Sequence, residues 1–420
     1  MKILFVTQWF DPEPGAMRGL PLARHFVAQG DEVEVLTGYP NYPGGKLYPG
    51  YRMRPWSRQM VDGVSVLRVP LYPSHDSSAA GRLANYGSFA LSSATIGLLT
   101  SRPADVAYVY HPPPTVGLAA LLLKTLRHTP FVYHIADMWP ESVIESGMIR
   151  GERTRRIAHS LISSWCGLLY RQASAISVLS PGFKRLLDER GVPGDKVHVI
   201  YNWAEEHVFK PLPRDTELAA SLNLDHTFNL LYAGNLGAFQ GIDTAIRAAA
   251  RLRDVPSFRL VIAGAGQKET ELKSLASQLS CSNVVFIGRR EYWEMPKVYS
   301  IADALLIHLK DLPFFASTIP SKTQVSMACG RPILVAVRGD AAELISRAGA
   351  GLSCNPEDPE AMAAAVRRLM NLPAEERMRM GAAGRSFYEQ HMSMAEGAQH
   401  TRRLLEQSAY GGPAAKRAYA

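Results

Sequence analysis

Cysteine is scarce in this 420-residue chain, with only Cys166, Cys281, Cys329 and Cys354, and none lies in a Cys-x-x-Cys pair. That scatter excludes a zinc ribbon and a disulfide framework, so the four read as small apolar residues in a reducing cytosol. Long apolar runs are missing too. No stretch of about 18 apolar residues exists, which excludes a confident transmembrane helix. The opening run Met1 to Val6 is broken by Gln8 and by Asp11-Pro12-Glu13-Pro14, and reads as a first core strand rather than a signal peptide. Asp-x-Asp and His-Glu-x-x-His are absent, so no metal site and no bound cofactor are expected. Without a zinc finger, an RNP-like strand or a basic low-complexity tail, nucleic acid is not an expected partner.

What is abundant is positive charge and β-branched strand text. The net charge of +8 and pI near 9.3 favour an anionic partner such as a nucleotide or an acidic bilayer. Short apolar runs alternate with helical patterns at 2–7, 32–37, 64–70, 105–110, 131–135, 175–179 and 197–201. After a polar, proline-containing connection a second series occupies 228–233, 258–263, 284–287, 304–308, 333–337 and 351–354. This pattern predicts α/β architecture with two doubly wound parallel sheets in tandem, whose ligands bind beyond the carboxyl ends of the strands, in a cleft between the units. The expected domains are 1–203 and 204–385, with a helix at 386–410 crossing back to the first domain and a tail at 411–420.

The segment YAGNLGAFQG, Tyr232 to Gly241, is a glycine-bounded turn from a strand to an alanine-rich helix, the usual setting for a phosphate. It carries Asn235 and Gln240 and no cation. Backbone N–H groups around Gly234, Leu236 and Gly237 are expected to face the anion, helped by neutral donation from Asn235 and Gln240. Gly264-Ala265-Gly266 lacks the third glycine of a dinucleotide fingerprint and serves its own turn. Residues 39–60 interleave aromatics with Lys46, Arg52, Arg54 and Arg58 on a loop-like background, fitting either a bilayer interface or a flap over a cleft. Residues 82–100 form a small-residue helix, read as a core helix in preference to a monotopic membrane patch.

Taken in order, DPEPGAMRG, DMWPES, VIYNW, LLYAGNLGAFQG, LVIAGAG, VVFIGR and PSKTQVSMACGRPIL resemble the GT-B retaining glycosyltransferases of family 4 over nearly the whole chain. They are most similar to bacterial enzymes that build O-antigen, capsule or exopolysaccharide from nucleotide-activated amino or deoxy sugars. The resemblance implies a nucleoside diphosphate sugar as donor, UDP before GDP, and a lipid-linked glycan as acceptor, at the inner face of the plasma membrane. It also marks departures. The family's Arg and Lys in the diphosphate loop are Asn235 and Gln240 here, its ribose-binding glutamate falls at Val325, and its other glutamate, eight residues earlier, at Ser317.

The replacement cation is Lys322, in the first turn of a helix opening at Ser321, where the family lays a helix start against the phosphates. A Lys at that end is unfavourable for an isolated helix unless an anion sits nearby. Arg289 matches a segment beside the nucleotide base, or is simply solvated. Glu343 matches a cleft acid, or is a first-turn helix acid. Gly15 and Arg18 match a loop that approaches the phosphates from the other domain, Arg18 alternatively decorating its helix. His134 and Asp137 are assigned sugar or acceptor contacts, with a satisfied core histidine as the other reading of His134. Lys322, Asp137 and His134 are the catalytic candidates. A nucleotide-sugar epimerase and a non-catalytic nucleotide-sugar-binding subunit are the alternatives.

Overall fold

A computed structural model describes all residues except 15–17, 75–78, 146–150 and 412–420. Gly15 and the tail from Gly412 therefore lie outside the described residues. The chain divides into two compact units, one of residues 1–200 with the segment from Gly397, the other Tyr201–Glu396.

Unit 1 is built on eight strands: β1 (Lys2–Val6), β2 (Glu32–Gly38), β3 (Ser57–Val61), β4 (Val64–Val69), β5 (Val106–His111), β6 (Phe131–Ile135), β7 (Ala175–Val178) and β8 (Val197–Val199). Their order is β3-β4-β2-β1-β5-β6-β7-β8, parallel except for the antiparallel β3–β4 pair. All six residues of β4 and all five of β6 are buried, Ser65, Arg68 and His134 among them, so neither strand alternates between core and solvent, as helices on both faces require. The order reverses at β1, which pairs with β2 on one side and β5 on the other. Loops leaving β1 and β5 therefore part, and a crevice opens at their carboxyl ends.

Unit 2 repeats the logic with β9 (Phe228–Ala233), β10 (Phe258–Ala263), β11 (Val284–Gly288), β12 (Ala304–His308), β13 (Ile333–Ala336) and β14 (Gly351–Ser353). The order β11-β10-β9-β12-β13-β14 is wholly parallel, with the reversal at β9. Leu230, Ile246, Leu260, Leu306 and Leu334 meet in its core.

Three expectations are corrected. Residues 39–60 are not all loop, because 57–61 form β3 and Arg58 is spent on Glu34 (2.9 Å) and the Thr100 carbonyl. The continuous last helix is two helices, Ala374–His391 and Met394–Tyr410, separated where Met392 leaves helical geometry. The second is hydrogen-bonded within unit 1, Arg402 to Asp31 at 2.8 Å and Tyr410 to Asp105 at 3.1 Å.

The third concerns residues 82–100. They are an α-helix, Ala79–Ser92, a π-helical turn, Ser93–Gly97, and a last α turn, Leu98–Thr100. The element packs on the core as expected, through buried Phe89, Ala94 and Leu98, but it is interrupted and two polar residues also point inward. Asn85 is buried, accepts from Gln8 Nε2, and donates to the Asn41 side chain (3.2 Å) and the Tyr72 carbonyl (2.7 Å). Ser93 is sealed, and Gly97 lies so close to β2 that a Cβ would sit 2.8 Å from the Leu36 side chain.

Asn85→Ala strands the amide of Gln8 and the carbonyl of Tyr72 without partners. We expect it to destabilise unit 1 by about 2–4 kcal/mol, read as a lowered denaturation midpoint of that unit.

Candidate active site

The candidate phosphate site forms where the order of the second sheet reverses. Two segments emerge side by side, the turn Gly234–Gly241 after β9 and the connection from β12 to the helix Ser321–Ala328. Gly234 (φ +146°) and Gly264 (φ +155°) let the turns after β9 and β10 cross closely, and a Cβ at Gly264 would lie 1.9 Å from the carbonyl oxygen of Gly234.

That crossing uses up the amides expected to hold the anion. Gly234 N–H donates to Ala263 O (2.8 Å), Leu236 N–H to Ala265 O (2.9 Å) and Gly237 N–H to Gln240 Oε1 (3.1 Å). The expectation that these three amides cradle phosphate is therefore wrong, since the fold pairs them internally. Gln240 is committed as well, its side chain capping Gly237 and its carbonyl accepting from His308 Nδ1 at 2.7 Å. A carbonyl only accepts, so the proton of His308 sits on Nδ1, and Nε2 faces the amide of Glu357 at 3.5 Å. Burial lowers the pKa of this histidine and favours the neutral ring. Asn235 is exposed at the outer edge of the turn.

Lys322 fills the space the turn leaves. Its chain crosses Gly234, where a Cβ would lie 2.5 Å from Lys322 Cε. The amine stands 3.9 Å above the centre of the Tyr232 ring and donates to the Tyr232 hydroxyl, which donates to Asn235 O at 2.7 Å. Burial draws the Lys322 pKa down to about 7. The helix begins after Pro320 with no side-chain cap, and Thr323 N–H turns back to Pro320 O (2.8 Å). The N–H groups of Ser321 and Lys322 are thus the ones its geometry leaves to an outside acceptor. Sequence reasoning placed Lys322 but missed Tyr232 and His308. Tyr232 closes an apolar strand run and reads as core, so only its position two residues before Gly234 marked it.

Arg289 is exposed at the end of the edge strand β11, and Glu343 is exposed in the first turn of the helix Asp340–Arg347 after β13. Both share the carboxyl end of the sheet with Lys322, but neither is hydrogen-bonded or ion-paired to it.

In unit 1 the reversal at β1 carries a cavity of about 170 Å³ lined by Thr7, Trp9, Arg18, Tyr42, Tyr110 and Pro112. Arg18 is buried, donating to Ile200 O at 2.8 Å and hydrogen-bonded to the Tyr108 phenol, so it braces this unit as well as lining the cavity. His134 is fully buried, with Nδ1 2.8 Å from Ser177 Oγ and its ring stacked on Tyr110 at 5.2 Å. Burial holds its pKa far below normal. The contact with substrate assigned to His134 is therefore wrong, because the strand seals the ring inside the sheet. Asp137, three residues on, is exposed, with its carboxyl pushed up by the protein mass around it. Nearby, Tyr86 stands edge-on to Trp9 (6.2 Å) and to Trp139 (6.5 Å), an aromatic rim that the sequence did not announce. Among the described residues no group of three or more His, Cys, Asp or Glu side chains has the placement to hold a metal ion.

Comparisons with known proteins follow the two units. Residues 17–203 match the Glycosyl transferase 4-like domain and residues 214–387 match the Glycosyl transferases group 1 family. The chain is similar to the putative colanic acid biosynthesis glycosyl transferase WcaI of Escherichia coli (strain K12), 29% identical over 391 residues, 89% of this chain and 93% of that protein. It is also similar to the probable glycosyltransferase WbjE of Pseudomonas aeruginosa, 26% identical over 304 residues, 69% of this chain and 74% of that one. Among solved structures, Anabaena Alr3699/HepE in complex with UDP superposes with a TM-score of 0.69 at 18% identity, over 97% of this chain and 100% of that chain.

An anion beside Lys322 favours the ammonium and raises its pKa above about 7. Binding of a nucleoside diphosphate should therefore take up protons near pH 8, with affinity full below pH 7 and falling as pH rises towards the bound-state pKa. Titration calorimetry in two buffers of different ionisation heat measures the uptake, and Lys322→Met should abolish it.

Proposed function

We propose, for a chain that belongs to the GT-B glycosyltransferases of group 1, that it transfers an amino or deoxy sugar from a nucleoside diphosphate, UDP before GDP, to a polyprenyl-diphosphate-linked acceptor in bacterial surface polysaccharide synthesis. The carrying observation is a half-buried lysine at the reversal point of the second sheet, held by Tyr232 and ion-paired to no carboxylate among the described residues. A developing diphosphate leaving group supplies the charge that such a lysine lacks. The amide groups of Ser321 and Lys322 add a helix N-terminus directed at the same anion.

The reaction is a same-face substitution in which the departing diphosphate oxygen takes the acceptor proton and Lys322 stabilises the charge that develops there. No metal is needed to bridge the diphosphate on this reading. Unit 1 supplies the acceptor, with Asp137 and the aromatic rim of Trp9, Tyr42 and Tyr86 facing sugar rings. An apolar sugar edge is supported by Phe239, which is 43% exposed and packs edge-on against Phe315 at 5.8 Å, bridging the loops after β9 and β12. Ser317, in place of an acid, is buried and turned to Phe314 O. Methyl or acetyl groups suit that surface better than a hydroxyl. WcaI, by its name, belongs to colanic acid biosynthesis, which supports the polysaccharide reading. A polyprenyl acceptor is confined to the bilayer, so the enzyme works as a peripheral protein on its inner face. No helix among the described residues is long and apolar enough to cross.

Purified protein incubated with nucleotide sugars and a short-chain prenyl-diphosphate glycan should yield a product heavier by one sugar, with retained anomeric configuration and undiminished by chelator. Lys322→Ala should lower kcat by about 2–4 kcal/mol of transition-state stabilisation. A new epimer without transfer, or binding without turnover, would overturn the assignment.

A further inference from the structure

The helical segment 79–100 is apolar on its outer face as well as its inner one. Asn85 and Ser93 face the protein beside the buried Phe89, Ala94 and Leu98, while Leu83, Leu91 and Leu99 stand 70%, 63% and 82% exposed. In water this distribution is unfavourable, because burying leucine and solvating asparagine is the cheaper arrangement. The five residues of the π-helical turn, Ser93–Gly97, lie between Leu91 and Leu99. A π turn advances each residue by less rotation than an α turn, so it brings Leu99 back towards the face of Leu91 instead of carrying it round the helix.

The surface continues beyond the helix. Arg58 binds the Thr100 carbonyl and thereby fixes β3 beside the end of the helix, and Met60 of that strand and the preceding Trp56 are 64% and 47% exposed. On the other side Arg127 holds the Leu98 and Ser101 carbonyls, next to an exposed Leu126.

Charge identifies the partner. Residues 35–61 contain Lys46, Arg52 and Arg54 besides Arg58, residues 77–104 contain Arg82 and Arg102, and neither stretch contains an Asp or Glu, although Arg58 and Arg102 both face the buried Glu34. Leucine and tryptophan beside this net excess of cations match the interface of an anionic bilayer, where apolar groups enter the acyl boundary and cations meet headgroups. A second copy of the chain would bring arginine to arginine.

We propose that the outward face of 79–100, with Trp56 and Met60, is the surface by which the protein docks on anionic lipid. The proposal draws on the lipid-linked acceptor only for its purpose. Vesicle binding needs neither donor nor acceptor, so the two readings fail separately.

The test uses the full chain and vesicles of phosphatidylcholine with or without phosphatidylglycerol. Wild-type protein should float with the anionic vesicles, and binding should weaken with salt. Leu91→Glu with Leu99→Glu should cut the binding about tenfold or more while melting temperature and transfer to a water-soluble acceptor stay unchanged. Arg52→Ser with Arg54→Ser should weaken only the anionic-vesicle component. Wild-type protein that ignores anionic vesicles, a leucine variant that binds them undiminished, or a wild-type dimer that the leucine variant turns to monomer by light scattering would each overturn the proposal.

Discussion

The site in the second unit depends on holding an amine partly out of water above a phenol ring. A lysine that loses hydration without gaining a carboxylate sheds its proton readily, and Lys322 does so near neutral pH. Tyr232 supplies a ring face and a hydroxyl lone pair, enough to fix the amine in place but not enough to satisfy a full charge. The protein thus carries its cation in a partly discharged state, recharged by whatever anion arrives. A loop with a permanent arginine would attract phosphate at all times. Here attraction and protonation rise together.

The same economy explains the surrounding turn. Its amides are bonded to the neighbouring turn and to Gln240, which makes the loop a rigid wall rather than a cradle. His308 extends the wall by joining the Gln240 carbonyl to the Glu357 amide across the ends of two further segments. Rigidity of this kind contributes to electrostatic catalysis, since dipoles and charges that are already oriented need no reorganisation as charge develops.

Much of this was legible in the sequence. Alternating apolar runs and helical patterns marked both sheets, because strands buried on both faces leave continuous β-branched text. Lys322 was legible because a cation in a first helical turn runs against the dipole. Four features were not. The use of the Gly234 and Leu236 amides depends on the distant turn at Ala263 and Ala265, and that of Gly237 on how Gln240 folds back. His134 looked available because a strand histidine near an acid carries no sign of which side of the sheet it faces. β3 was hidden by arginine, tryptophan and proline, and the inward orientation of Asn85 could not be told from composition, since hydropathy averages ignore direction.

Gly234 and Gly264 differ in what stands against them, and the difference has a genetic consequence. At Gly234 the obstacle is the flexible chain of Lys322, which a second change could shorten, although the backbone angle of +146° still disfavours any side chain there. At Gly264 the obstacle is the main-chain carbonyl of Gly234, which every residue carries. No second-site substitution removes it. Drift therefore meets a backbone angle at both glycines, and at the second also a main-chain oxygen that has no suppressor.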